Sequence, residues 1–249
     1  MLWLRSAAFN AFFVIATLAI LVPGTLVRLL APRHALAVAR AWGRTALWGA
    51  RVICGVRWRV EGWENLPREP ALIASRHESA FDTFVWLLLL PRAAYVVKQE
   101  LVRIPLLGPL MPLAGMIPVD RGAGAAGLRR LAEGAAAALG AGRPVVIFPE
   151  GTRVEPDTPV ALQPGIALLA ARTGAPVVPV ATDSGRFWGR RAFLKRPGVI
   201  RIVLRPAIPA ATPRAALMAE LAAGLRLAPV DNSVGEVVST AQSYQNFTR

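Results

Sequence analysis

Cysteine is nearly absent from this 249-residue chain: Cys54 stands alone, so no intrachain disulfide and no thiolate metal cluster can form. Histidine is almost as scarce. His34 and His77 are the only two, and neither has helical ligand spacing to a pair of other strong ligands, so no structural metal is expected. Negative charge is missing altogether from residues 1–60, which hold eight arginines and no Asp or Glu, whereas every acidic residue lies from Glu61 onward. The chain therefore divides into two parts of different character. Gly-x-Ser-x-Gly is also absent, which removes the serine nucleophile elbow from consideration.

What is present is apolar and basic. Hydrophobic residues make up 54% of the chain and the mean hydropathy is +0.44, above the range of an ordinary soluble domain. The formal charge of +14 implies attraction to anions: a membrane surface, a phosphorylated substrate or a nucleic acid. Between Arg5 and Arg28 lie 22 uncharged residues, close to the roughly 20 needed to cross a bilayer, with Pro23 and Gly24 interrupting the run late. A secretory signal is the competing reading, but the basic start is Arg5 alone and no Ala-x-Ala site follows. Next, Arg40, Arg44 and Arg51 fall near one helical face with Trp42 and Trp48 beside them, which suits either a helix lying on an anionic surface or a solvated basic face. Five arginines from 28 to 51 flank the C-terminal side of the apolar run, so the positive-inside rule puts the main domain in the cytoplasm, at the inner membrane.

From residue 56 the pattern changes. "VRWRV", "ALIAS", "AAYVV", "GMIPVD", "PVVIF", "PVVPVA" and "VIRIVLRP" read as strands, with helical candidates near 80–90, 125–140, 163–173 and 213–228. The expectation is an α/β fold: a mostly parallel mixed sheet flanked by helices, with an N-terminal membrane-associated helical segment. Residues 1–55 form the anchoring segment, 56–230 the α/β domain and 231–249 a polar tail.

The chemistry is expected at strand ends. His77 and Asp82 are five positions apart and would point about 140° away from each other on one helix, so they cannot pair inside it. If the helix starts at Ser79, however, His77 sits in the loop before it and Asp82 in its first turn. There the two can meet, Asp82 supporting an imidazole that takes a proton from a hydroxyl. Ser79 and Asp82 also match a capping box, which needs no chemistry. "Phe148-Pro149-Glu150-Gly151-Thr152-Arg153" packs a carboxylate, a glycine, a hydroxyl and a guanidinium into one turn; Thr152 and Arg153 can donate to a phosphate, though a surface Arg–Glu turn would look the same. Arg121, after "GMIPVD", and Lys98, after "YVV", supply further cations at the same expected edge.

"HESAFD", "GMIPVDR", "FPEGTR" and "VVPVA", in that order and with "KQELVRIPLLG" between the first two, resemble the membrane-bound glycerolipid acyltransferases, specifically 1-acylglycerol-3-phosphate acyltransferases. The match runs from about residue 56 to 210, and Arg76 stands where an asparagine or another residue often precedes the histidine. The resemblance implies acyl transfer from acyl-CoA or acyl-acyl carrier protein to the free hydroxyl of lysophosphatidate, giving phosphatidate, with no other cofactor. His77 would be the general base and Asp82 its support. Lys98, Arg121, Glu150, Gly151, Thr152 and Arg153 would bind the acceptor, and Pro179 would shape the wall. Partners would be the bilayer, a lysophospholipid and the acyl donor, with no nucleic acid.

Other readings use the same residues. An acceptor could be another lysolipid, such as an ornithine-linked one; the same base could serve a thioesterase. Gly122, Gly124 and Gly127 satisfy a dinucleotide fingerprint, though Asp120 and Arg121 intervene after the strand. Charge alone would allow a non-enzymatic basic module, but the arginines cluster beside the apolar segment.

Overall fold

In the computed structural model, which describes residues 1–159 and 161–227, strands form where apolar runs are short and closed by Pro, Gly or polar residues. They are β1 (Val56–Glu61), β2 (Leu72–Ser75), β3 (Ala94–Lys98), β4 (Ile117–Val119), β5 (Val145–Ile147), β6 (Val177–Thr182) and β7 (Gly198–Leu204). The helices are α1 (Leu2–Leu30), α2 (Ala35–Cys54), α3 (Ala80–Leu89), α4 (Leu110–Leu113), α5 (Gly124–Gly140), α6 (Gly165–Thr173), α7 (Ser184–Phe187) and α8 (Arg214–Gly224). The tail expected at 231–249 lies outside the described residues.

The strands make one sheet in the order β1-β7-β6-β2-β5-β3-β4. All neighbours are parallel except β6 and β7, which run antiparallel. Alternate side chains of each strand point to opposite faces. Ile73, Val146 and Val178 thus join Phe9, Leu47, Phe84 and Trp86 under α1, α2 and α3. Leu72, Val145 and Val177 join Leu131, Ile166, Leu169 and Leu217 under α5, α6 and α8. The sheet is covered on both faces, which explains why its central strands are buried throughout. Pro179 sits within β6 without breaking a ladder. Its carbonyl accepts from Arg205 N just past the end of β7, so its nitrogen faces the side where that strand has ended.

The reversal at β7 has a spatial effect. The C-terminal ends of β2, β3, β4, β5 and β6 share one edge of the sheet, and β7 and β1 bring their starts to that same edge, where Gly198 N donates to Gly55 O at 3.1 Å. The segment before β7 is thereby placed at the same edge of the sheet as the loop that carries His77, and its residues Trp188 and Lys195 share a cavity with Ala80.

The N-terminal segment is a helical hairpin. The α1 and α2 helices pack antiparallel: Arg5 Nε donates to Ile53 O at 2.7 Å, Trp42 Nε1 donates to Thr17 Oγ1 at 3.0 Å, and Phe12 lies so close to α2 that a Cβ on Gly49 would fall 2.2 Å from its ring. Ser6 and Phe9 are fully buried, and Phe9 packs edge-on against Trp188 at 5.0 Å. Truncating Phe9 to Ala would cost about 3–5 kcal/mol. The rest of α1 turns a row of side chains outward, Val14, Ile15, Leu18, Val22, Leu26 and Leu29 among them. Contrary to the interruption expected at Pro23 and Gly24, the helix continues to Leu30. The helix tolerates the one donor that Pro23 removes because the rest of its ladder and its packing on α2 hold it in place. Thr25 Oγ1 donates to Leu21 O at 2.8 Å in that turn, and Gly24 is buried against Leu110 and Val38.

Candidate active site

The central strand β2 ends at Ser75, and the chain then turns through Arg76, His77 and Glu78 before α3 begins. Ser79 caps the helix, its hydroxyl accepting from Phe81 N at 3.0 Å, and Asp82 closes the capping box from the other side. One carboxylate oxygen of Asp82 takes three donors: Glu78 N at 2.7 Å, Ser79 N at 2.8 Å and His77 Nδ1 at 3.2 Å. Because that oxygen can only accept, it holds Nδ1 as the protonated nitrogen and leaves Nε2 with a free lone pair. The imidazole side chain is 13% exposed and its partner 2%, so the pair is shielded yet reachable. A histidine held in this way is built to receive a proton.

The turn after β5 completes the surroundings. Phe148 stacks on the His77 ring with centroids 4.0 Å apart and planes 20° off parallel. Glu150 Oε1 accepts the His77 backbone N–H at 3.2 Å, and Val154 N donates to His77 O at 2.8 Å, so the histidine is gripped by its main chain from the next strand's loop. Gly151 makes the turn possible: its φ of 73° is in the left-handed region, with its N–H on Phe148 O at 3.0 Å. Glu150 is buried, its Oε2 has no partner among the described residues, and burial pushes its carboxyl up to about 7. Arg153 is half-buried with an unpartnered Nε, and burial lowers its pKa although the Asp82 charge acts to raise it. Thr152 is exposed at the turn's crest.

The structure thus brings His77, Asp82, Glu150, Gly151 and Arg153 to one place, with Thr152 on the same turn facing solvent, while Lys98 and the backbone of Arg121 lie further along the sheet edge. Lys98 Nζ pairs with Glu100 at 3.1 Å and is half exposed. Arg121 follows the outermost strand, three strand spacings, or about 14 Å, from β2, and its side chain lies outside what is described.

Two residues to which the motifs assign no role complete the cluster. Arg76 is buried and donates Nε to Glu78 at 2.6 Å and Nη2 to the carbonyls of Glu155 and Thr158 at 3.3 and 3.1 Å. It fastens the loop after Arg153 onto the histidine loop. Glu78 also accepts Gly185 N at 3.1 Å, and burial pushes it up to about 7 against the Arg76 contact. The signal was present: charged residues on both sides of a histidine, in a segment otherwise apolar, with no solvent-facing pattern.

Beside the first turns of α3 is an apolar cavity of about 90 Å³, lined by Thr83, Leu87, Trp42, Tyr95, Val97 and Met116 among others. The glycine fingerprint does not make a phosphate cradle. It follows the edge strand β4, and the Gly122 N–H that would face a pyrophosphate is taken by Asp120 Oδ1 at 2.9 Å. No group of three or more His, Cys, Asp or Glu placed to hold a metal occurs among the described residues.

Comparison with known proteins adds an independent line. The acyltransferase family profile matches residues 57–183. The 1-acyl-sn-glycerol-3-phosphate acyltransferase of Pseudomonas aeruginosa is 36% identical over 171 residues, 69% of this chain and 66% of that one. Its namesake from Limnanthes douglasii is 30% identical over 158 residues, 63% of this chain and 56% of that one. The matched stretch thus spans less than two thirds of the length of these relatives. Among solved structures, the 1-acyl-sn-glycerophosphate acyltransferase PlsC of Thermotoga maritima superposes with a TM-score of 0.69 at 23% identity, covering 90% of this chain and 96% of that one, and so has the same fold.

Proposed function

This chain belongs to the acyltransferase family, and from that premise we propose that it moves a fatty acyl group from an acyl thioester to the free hydroxyl of 1-acyl-sn-glycerol-3-phosphate, giving phosphatidate. The observation that carries the proposal is the contact of His77 Nδ1 with Asp82 at the entry to α3, beside the unpartnered Arg153. His77 Nε2 takes the proton of the acceptor hydroxyl as its oxygen attacks the thioester carbonyl. The imidazolium is stabilised by Asp82, and the collapsing tetrahedral intermediate expels the thiolate, which recovers the proton from Nε2. No covalent enzyme intermediate is involved. Cys54 is buried in the core, and its thiol is raised by burial rather than activated.

Arg153 holds the acceptor's phosphate, supported by Thr152 and the Gly151 turn, while Glu150 acts through the backbone of His77 to position it. Lys98, paired with Glu100, serves an acceptor only as an outlying charge. The apolar cavity beside α3 has room for only a few methylene groups and receives part of the acyl chain. The donor is acyl-CoA or acyl-acyl carrier protein, and no further cofactor enters the reaction.

The protein sits on the cytoplasmic face of the inner membrane. Helix α1 is long and apolar enough to cross a bilayer, but its first turns are bonded into the catalytic body and α2 covers one side with arginines, which favours a hairpin seated in the near leaflet. Purified protein given a labelled acyl thioester and a panel of lysolipids, with products identified by mass, tests the reaction. Labelled phosphatidate as the main product is expected. Free fatty acid alone would mark a thioesterase, and acylation only of an ornithine-linked or other lysolipid would reassign the acceptor.

A further inference from the structure

A second cavity, of about 400 Å³, abuts the first residue of α3 on the side of α1. Phe9, Phe13 and Trp188 form its apolar walls, and Arg153, Arg191 and Lys195 supply its charge. The cations are not equivalent. Lys195 is buried and its ammonium is saturated by Asn10 Oδ1 at 2.6 Å and the carbonyls of Ala192 and Phe193 at 3.0 Å each, so it ties the Trp188–Lys195 loop to α1. Arg153, Arg190 and Arg191, by contrast, have no carboxylate within ion-pair distance among the described residues. Arg190 is near enough that its charge, after burial, helps push the Arg153 pKa down. Arg153 and Arg191, which line the cavity without a carboxylate partner, give it a positive field that attracts an anion.

The surroundings specify what kind of anion. Arg153 immediately precedes Val154, whose N–H is bonded to His77 O, so the cavity adjoins the catalytic loop. At its outer side Trp3 and Phe193, both exposed, pack with centroids 5.2 Å apart, next to the outward apolar row of α1. Aromatic pairs in such a position suit the boundary between headgroups and chains.

We propose that the Trp188–Lys195 loop forms the headgroup subsite for the acyl acceptor, a single-chain lipid phosphomonoester: Arg191 shares the phosphate with Arg153, and the chain leaves past Trp3 and Phe193. The inference rests on the acyl-transfer reading above and adds to it a specificity element with no motif in the sequence. Arg191 has a φ of 54°, so Arg191→Gly removes the guanidinium without straining the turn.

The test uses full-length protein in mixed micelles. Arg191→Gly should raise the acceptor KM for lysophosphatidate about tenfold, the effect of losing one charge-assisted hydrogen bond. The donor KM should not follow, and Arg191→Lys should recover most of the loss. Discrimination between lysophosphatidate and lysophosphatidylglycerol, whose phosphodiester carries less charge, should shrink in parallel. Acceptor KM within twofold of the unmodified protein would overturn the subsite while leaving the reaction standing. If the unmodified protein transfers nothing to lysophosphatidate, binding decides, read by quenching of tryptophan fluorescence with a brominated-chain lysophosphatidate. Affinity weakened about tenfold by Arg191→Gly would keep the subsite and remove the reaction, and unaltered affinity would remove both.

Discussion

Replacing Asp82 with asparagine separates capping from catalysis, because the two uses converge on one atom. The oxygen that accepts Glu78 N and Ser79 N also accepts His77 Nδ1. An asparagine placed amide-first would oppose two backbone donors, so its carbonyl oxygen stays where the carboxylate oxygen was. The Nδ1–H tautomer therefore survives and only the charge is lost. For the imidazolium formed during proton transfer, a full charge pair at 3.2 Å with an effective dielectric near 20 is worth at most about 5 kcal/mol. The neutral hydrogen bond that remains restores some of this, leaving a loss of about 3 kcal/mol, or a little over a hundredfold in kcat. Folding should suffer less, because asparagine is a good acceptor at helix starts: about 1–2 kcal/mol from two weakened backbone hydrogen bonds. Steady-state acyl transfer and a thermal melt of the same preparation measure the two effects together. A variant that folds and turns over within about fivefold of the unmodified protein would show that Asp82 is a cap and nothing more.

His77→Ala should abolish acyl transfer, by at least a thousandfold in kcat, while vesicle flotation remains normal; measurable turnover near the original rate would remove the base. Glu150 has a folded pKa of about 7 against an ordinary 4.5, so ionising it opposes folding: its favourable contribution is complete below about pH 4.5 and is lost as pH rises through 7. That loss is about 3 kcal/mol at full ionisation. Glu150→Gln retains an acceptor for His77 N–H and should melt several degrees higher than the unmodified protein at pH 8, with the gap closing by pH 4.5; parallel pH profiles would contradict this. Leu18→Asp with Val22→Asp alters two side chains that are 59% and 67% exposed, so flotation with vesicles should fall sharply while the melting temperature changes little. Retained flotation would place the membrane contact elsewhere.

Local features were legible from the sequence, and long-range ones were not. β2, β4 and β5 lie within their apolar runs, and β1, β3, β6 and β7 overrun theirs by one residue, because each run is short and sharply bounded, as "PVVIF" and "ALIAS" are. The meeting of His77 with Asp82 was also readable, since it depends on where one helix starts. Strand order and the reversal of β7 left no local trace, because "VIRIVLRP" has the same pattern in either direction. The roles of Arg76, Glu78 and the Trp188–Lys195 loop left no trace for the same reason: their partners are Thr158, Gly185 and Asn10, separated by 82, 107 and 185 positions. The interruption expected at Pro23 failed because the penalty for proline assumes a helix surrounded by water, whereas this one is packed against α2.

Ser6 and Asn10 of α1 hold Lys195, so the outward apolar row and the loop in front of the histidine move as one body. In the setting proposed here, that rigid join fixes the height of the reacting atoms above the lipid chains. The twenty-one residues from Asn10 to Leu30 form a rod of about 30 Å that sets the enzyme's depth and tilt in the leaflet. An acceptor could then reach the site by lateral diffusion, with its tail still among its neighbours, and its product could return the same way. The search would be two-dimensional, and turnover would depend on the acceptor's mole fraction in the leaflet instead of its concentration in water.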